Sequence, residues 1–209
     1  MSDPMDFGTV LINLASGLVG SIIGAGISIL TTKWTIIEKN NSDQKEENKS
    51  IIHSLMCIRS ELNSVYMRYY NQIGNQFENT PSQQAIAIYL PVQEEYFPIY
   101  KNNTSIIGKI ENKDTIENII NCYTCAVGMI DSIRFNNSLY DNYEKISRDV
   151  LNAHNQDELI NLHNNRNSAQ KAICDYWEQL RKHHSDLRRL ASLAYAGMTA
   201  EITIREKIL

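Results

Sequence analysis

The chain lacks every short motif by which common enzyme chemistry announces itself. It has no Gly-rich phosphate loop, no G-x-S-x-G elbow and no H-E-x-x-H pair. No catalytic residue is nominated, and an enzyme is not expected. Histidine is sparse. His53, His154, His163, His183 and His184 have no carboxylate or second histidine at convincing ligand spacing, so each reads as a surface or satisfied bundle residue. Cysteine gives one lone pair, "CYTC" (Cys122 and Cys125), without a second pair to complete a zinc site. Two small side chains on a buried helix account for it, and neither metal nor cofactor is expected. Basic excess is missing too. The formal net charge of −4 argues against a general nucleic-acid coat, although not against a local patch. Proline is scarce, and there is no internal repeat, low-complexity tail or second apolar run.

What is present is one long uncharged stretch. From Phe7 to Thr32 no residue carries a charge. At about 1.5 Å per residue, a helix of that length crosses a hydrocarbon core of about 30 Å. A cleaved signal peptide would want Lys or Arg ahead of the apolar core and a small-residue cleavage site after it. Here Asp3 and Asp6 lead, and the first basic residue is Lys33, beside Trp34, with Lys39, Lys45 and Lys49 beyond. The segment therefore reads as a single-pass anchor rather than a signal or a buried core helix. The Lys/Arg bias puts the short N-terminus outside and the body in the cytoplasm, with its cysteines reduced.

The anchor is unusually rich in small residues. On a helical wheel Thr9, Asn13, Ser16, Gly17, Gly20, Gly24, Ser28 and Thr31 share an arc of about a third of the circumference. Phe7, Leu11, Leu18, Ile22 and Ile29 lie opposite. Small residues at Ser16, Gly20, Gly24 and Ser28 let helix backbones approach closely in lipid. The plain consequence is self-association of the spans. The sharper one is a ring of helices whose polar positions, Asn13, Ser16 and Ser28, face a water path.

The remaining length suits one further domain. The expected organisation is a short outer end and membrane helix over 1–34, a polar linker over 35–50 and a helical sensor or assembly domain over 51–209. The stretch from Glu38 to Ser50 is a solvated linker or a continuation of the membrane helix that touches nothing apolar. Ile51, Ile52, Leu55, Ile58, Leu62, Val65, Tyr66 and Tyr69 then recur at helical spacing, to an end near Gly74. Residues 75–84 read as a loop. Pro91 and Pro98 prevent one helix over the aromatic stretch that follows. It reads as an extended packed loop, with Ala85 to Leu90 a possible short strand and a helix begun by Thr104 or Ser105. Asp114 with Glu117 resembles a capping box that opens a helix reaching Val150. A last long helix is expected over about Gln156 to Ala196, broken by Gly197 and followed by a short amphipathic tail. The fold class is all-α: an antiparallel helical bundle after one transmembrane helix.

One basic cluster stands out, "RKHHSDLRRL" from Arg181 to Leu190. On the wheel Arg181, Lys182, Arg188 and Arg189 oppose Leu180, Leu187 and Leu190, so they are expected to project from the bundle and to bind phosphates. Asp175, Glu178 and Asp186 dilute the patch. Repetition around a symmetry axis would concentrate it.

The layout, with "YFPIYKNNTSIIGKI" and "NCYTCAVGMIDSIRFNN" following the span, resembles small single-span membrane effectors of bacterial anti-phage defence. It is most similar to the channel effectors of the Hailong system, over roughly Phe7 to Asn137. The resemblance implies a homotetrameric ion channel that depolarises the host on infection, an abortive outcome. It also implies gating by a nucleotide or single-stranded DNA ligand made by a partner nucleotidyltransferase. The competing expectation is a membrane-tethered helical scaffold that dimerises through its glycine-rich span and has no pore.

Overall fold

The computed structural model describes residues 7–81, 89 and 96–209, with side chains throughout except at 7–27 and 29. Every element described is helical. Helix α1 spans Phe7–Tyr69, a π-helical turn Tyr70–Gly74 and α2 Asn75–Asn79. Two short helices follow, α3 (Pro98–Asn102) and α4 (Thr104–Ile107). Two long ones, α5 (Lys113–Leu151) and α6 (Gln156–Glu206), complete the chain.

Contacts divide the chain into two units, Met1–Ser50 with Leu209, and Ile51–Ile208. In the first unit the stretch from Glu38 to Ser50 is helical, so of the two sequence readings the continued helix holds, and its side chains are exposed or nearly so. Thr32 and Thr35 donate their hydroxyls to the carbonyls of Ser28 (2.8 Å) and Thr31 (2.9 Å), so neither hydroxyl competes for the helix N–H groups. Among the described residues no helix is long and apolar enough to cross a membrane. The side chains of Asn13, Ser16, Gly17, Gly20 and Gly24, and the possible strand from Ala85 to Leu90 apart from Tyr89, lie outside the described residues.

The second unit is built on three helical segments: residues 51–69 of α1, α5 and α6. A four-residue link folds α6 back along α5. The first segment runs antiparallel to α6. Arg59 donates to Thr199 Oγ1 (3.0 Å) at one end, and Tyr69 meets His184 at the other. Leu55, Ile58, Ile119 and Ala194 are wholly buried at the centre. Each large aliphatic residue withdrawn in this way contributes about 1.5–3 kcal/mol. These are the apolar positions that recur at helical spacing in the sequence, and their stripe is what the bundle covers.

Four boundaries differ from the sequence expectation. Helix α5 is capped by Asn112, whose side chain accepts from Thr115 N–H (3.0 Å), not by Asp114. The shift buries Thr115 and leaves Asp114 exposed in the first turn, where its charge suits the helix dipole. Helix α6 does not stop at Gly197 but continues to Glu206. A Cβ on Gly197 would lie 2.9 Å from Thr115 Oγ1 and 3.0 Å from its Cγ2. The glycine therefore serves close approach of α5 and α6, and its backbone stays helical. Residues 75–79 form a helical turn, not a loop, because Phe77 is buried against Trp177 at 4.6 Å. Finally, the first apolar helix gives way at Tyr70 to the π-helical turn rather than running regularly to Gly74.

The chain from Tyr96 to Ile110 docks onto this bundle through one buried acid. Glu61 accepts from Ile99 N–H (2.7 Å) and Tyr100 N–H (2.8 Å), satisfying the N-terminal donors of α3 just after Pro98. Tyr100 stacks on Tyr123 at 3.7 Å, and Phe97 meets the same ring edge-on at 4.9 Å.

Candidate functional site

Arg181, Lys182, Arg188 and Arg189 lie on one stretch of α6, but they do not form one outward patch. Arg181 is folded inward, with its side chain 15% exposed. It donates to the carbonyls of Phe77 (3.0 Å), Thr80 (2.7 Å) and Pro81 (2.7 Å), and its guanidinium lies 5.9 Å from the Trp177 ring centre. These carbonyls belong to the C-terminal end of α2 and the residues after it, groups a helix leaves unbonded. The expectation that Arg181 projects from the bundle is thereby corrected: α2 covers it. Arg188 reaches across to Glu78 Oε1 (2.6 Å), while Arg189 approaches Asp186 at 4.0 Å. Lys182 is exposed. The outward positive charge is thus carried by Lys182, Arg188 and Arg189, and Glu78 offsets part of it.

Glu78 is the hub of a polar network that sequence reasoning missed. Besides Arg188, it accepts from the Tyr70 hydroxyl (2.9 Å) and lies 3.3 Å from His184 Nε2. The Tyr70 hydrogen bond, with smaller help from His184 and Arg188, holds its carboxyl below the usual range. Burial pushes His184 below its ordinary value, against the pull of Glu78. The tautomer follows. A carboxylate only accepts, so Nε2 carries the proton and donates to Glu78. Nδ1 is then left to accept from the Tyr69 hydroxyl at 2.9 Å. Burial raises the Tyr69 phenol, which stays a neutral donor. Phe77 stacks on the same imidazole at 5.3 Å. His184 therefore ties the end of α1 to α2 from its place on α6. The pairs are separated by 106 and 115 positions in the chain, and no local pattern signals them.

Next to this network the core holds an apolar cavity of about 70 Å³. Its wall is made by Leu62, Tyr66 and Tyr69 of α1, Ile73 of the π-helical turn, Phe97, and Ala126, Met129 and Ile133 of α5. Arg68 and Gln72, both exposed, stand at its edge.

The cysteines take no part in either feature. Burial pushes the Cys122 thiol up to about 12 and raises Cys125 as well, so neither is a ready nucleophile. Among the described residues no three His, Cys, Asp or Glu side chains gather as a metal ion would require. Ser28 and Thr31, the residues of the small-residue arc whose side chains are described, are exposed.

Fold and site together define an all-α protein with a small apolar cleft and a tyrosine–histidine–glutamate network in which only the histidine is buried. In comparisons with protein families, curated proteins and solved structures, the chain matches none.

Proposed function

We propose that the protein is a self-associating membrane effector. Its N-terminal segment anchors it in the inner membrane as one span, and copies of that span assemble into an ion channel. The helical unit over 51–208 is the sensor. The observation that carries this reading is the uncharged run from Phe7 to Thr32 with its one-sided stripe of small residues. A monomeric anchor gains nothing from such a stripe, because lipid tails pack equally well against leucine. Exposed Leu30, Trp34, Ile36 and Ile37 around Lys33 extend apolar surface to where a membrane interface would fall. The likeness to small defence effectors supports depolarisation during phage infection as the outcome and a tetramer as the assembly. Under this reading Lys182, Arg188 and Arg189 contact the phosphates of a nucleotide or single-stranded DNA ligand from a partner nucleotidyltransferase, and Arg181 shapes the site from behind.

One observation favours the alternative, a tethered helical scaffold without a pore. Arg181 and Arg188 are both engaged within the chain, which leaves less charge for a phosphate ligand.

Membrane potential in expressing cells separates the two. A channel collapses the potential of wild-type cells, on its own or after infection, and Gly24→Leu restores it by holding the spans apart. A scaffold leaves the potential intact in both strains.

A further inference from the structure

The outward face of α1 within the second unit is bare of formal charge. Among residues 51–67 the exposed side chains are His53, Met56, Ser60, Asn63, Ser64 and Met67. At about 100° per residue they share an arc of about a third of the helix circumference, and half-buried Cys57 lies on the same arc. A surface helix ordinarily turns charged residues to water. The 13 residues from Glu38 to Ser50 of the same helix carry seven of them. Depletion of charge together with methionine is instead the composition of an interface core, and Met56 and Met67 are 42% and 45% exposed. Ser60 and Ser64, one turn apart, are small enough to let a second helix pack near the short end of the usual separation of about 8–10 Å.

Half of a metal site sits on this face. His53 Nε2 and Cys57 Sγ lie 3.8 Å apart, one helical turn from each other. Two ligands on one tetrahedral zinc lie about 3.6 Å apart, given bonds of about 2.0–2.1 Å to nitrogen and 2.3 Å to sulfur. The pair can therefore chelate one ion with only a small adjustment. Among the described residues no third His, Cys, Asp or Glu joins it. Glu61, the acid nearest in sequence, is committed to the N–H groups of Ile99 and Tyr100. Structural zinc takes four ligands, so one copy of the chain leaves the site incomplete.

We propose that two copies of the chain pack along this face of α1 and share one zinc ion, held by His53 and Cys57 of each. A tetrahedral set of two thiolates and two imidazoles is one that zinc favours. On binding, each Cys57 thiol gives its proton to water, and each His53 binds neutral through Nε2 with its remaining proton on Nδ1. Two thiolates then balance the charge of the ion. The site rests on the self-association proposed above and not on a pore.

The test uses the full chain in detergent, stripped of metal by a chelator, with Co2+ as a spectroscopic stand-in for Zn2+ and light scattering for mass. Cobalt should bind at one ion per two copies. It should show the thiolate-to-metal charge-transfer band and the strong visible bands of a tetrahedral site, and added zinc should bleach them. Cys57→Ser or His53→Ala removes two of the four ligands. Either should weaken binding by more than the roughly 100-fold that loss of a mere supporting partner can cost. Cys174→Ser, at the exposed cysteine of α6, should change nothing. Tetrahedral bands retained by Cys57→Ser or His53→Ala overturn the ligand set, and one ion per copy overturns the sharing. A metal-free oligomer that takes up no cobalt overturns the zinc site and leaves association of the spans standing. Protein of single-copy mass with and without metal overturns both.

Discussion

Replacing Arg181 by methionine separates two roles that the sequence alone conflates. Methionine keeps most of the aliphatic stem against Trp177 and removes the guanidinium. In the fold that guanidinium donates three hydrogen bonds of 2.7–3.0 Å to the carbonyls of Phe77, Thr80 and Pro81. A hydrogen bond from a charged group is worth about 1.5–3 kcal/mol, and an ordinary one about 1. Pro81 is exposed and recovers water, so its bond counts little. The other two are part-buried, and together they put the loss at about 3–6 kcal/mol. For a unit of this size each kcal/mol moves the midpoint by about 2–4 °C. A fall of about 6–24 °C is therefore expected, followed by calorimetry or by Trp177 fluorescence. Arg181→Lys should recover only part of it, since an ammonium cannot span three carbonyls from one plane. If Arg181→Met melts within 1 °C of wild type, then Arg181 does not secure the end of α2, and its outward, ligand-facing reading is restored.

Three further outcomes follow from particular contacts. Gly197→Ala should cost about 1–3 kcal/mol by urea unfolding, because the new methyl meets Thr115 at 2.9 Å, and Thr115→Ala should recover most of it; equal stability of wild type and Gly197→Ala would contradict the close approach. His184 is held below its ordinary value, so at mildly acidic pH the unfolded chain binds the extra proton first; stability should fall as pH drops below about 6.5 and level off under the depressed value, and His184→Gln should flatten that slope. The buried Cys122 thiol, pushed up to about 12, should resist iodoacetamide at pH 8 while exposed Cys174 reacts, as peptide mass mapping would show; early labelling of Cys122 would place it outside the core.

The helices of the second unit were legible because burial imposes its period on the sequence: Leu55, Ile58 and Leu62 repeat as a covered stripe must. Ends were harder. Asn112 and Asp114 are both good caps two residues apart, and only the burial of Thr115 decides between them. Gly197 looks like a terminator because glycine ends many helices, yet its missing side chain answers a threonine 82 positions earlier, at Thr115. Arg181 misled for the same reason. A helical wheel knows which side faces α6's own apolar stripe but not that α2 lies over the other. The Tyr69–His184–Glu78 network joins three elements and the cavity wall more than three, so no window of the chain contains either.

The channel reading is tested most directly by single-channel recording from purified full-length protein in a planar bilayer. Asn13 is the most polar residue of the span and sits near the middle of the small-residue arc. Unpartnered in lipid, its amide would be costly. The account predicts discrete current steps from wild-type protein, in the presence of a nucleotide or single-stranded DNA ligand if not before, and a lower unit conductance for Asn13→Leu. Unchanged unit conductance with fewer active assemblies would make the amide a contact between spans rather than a pore lining. No current from wild-type protein with or without ligand would contradict the channel and leave the tethered scaffold.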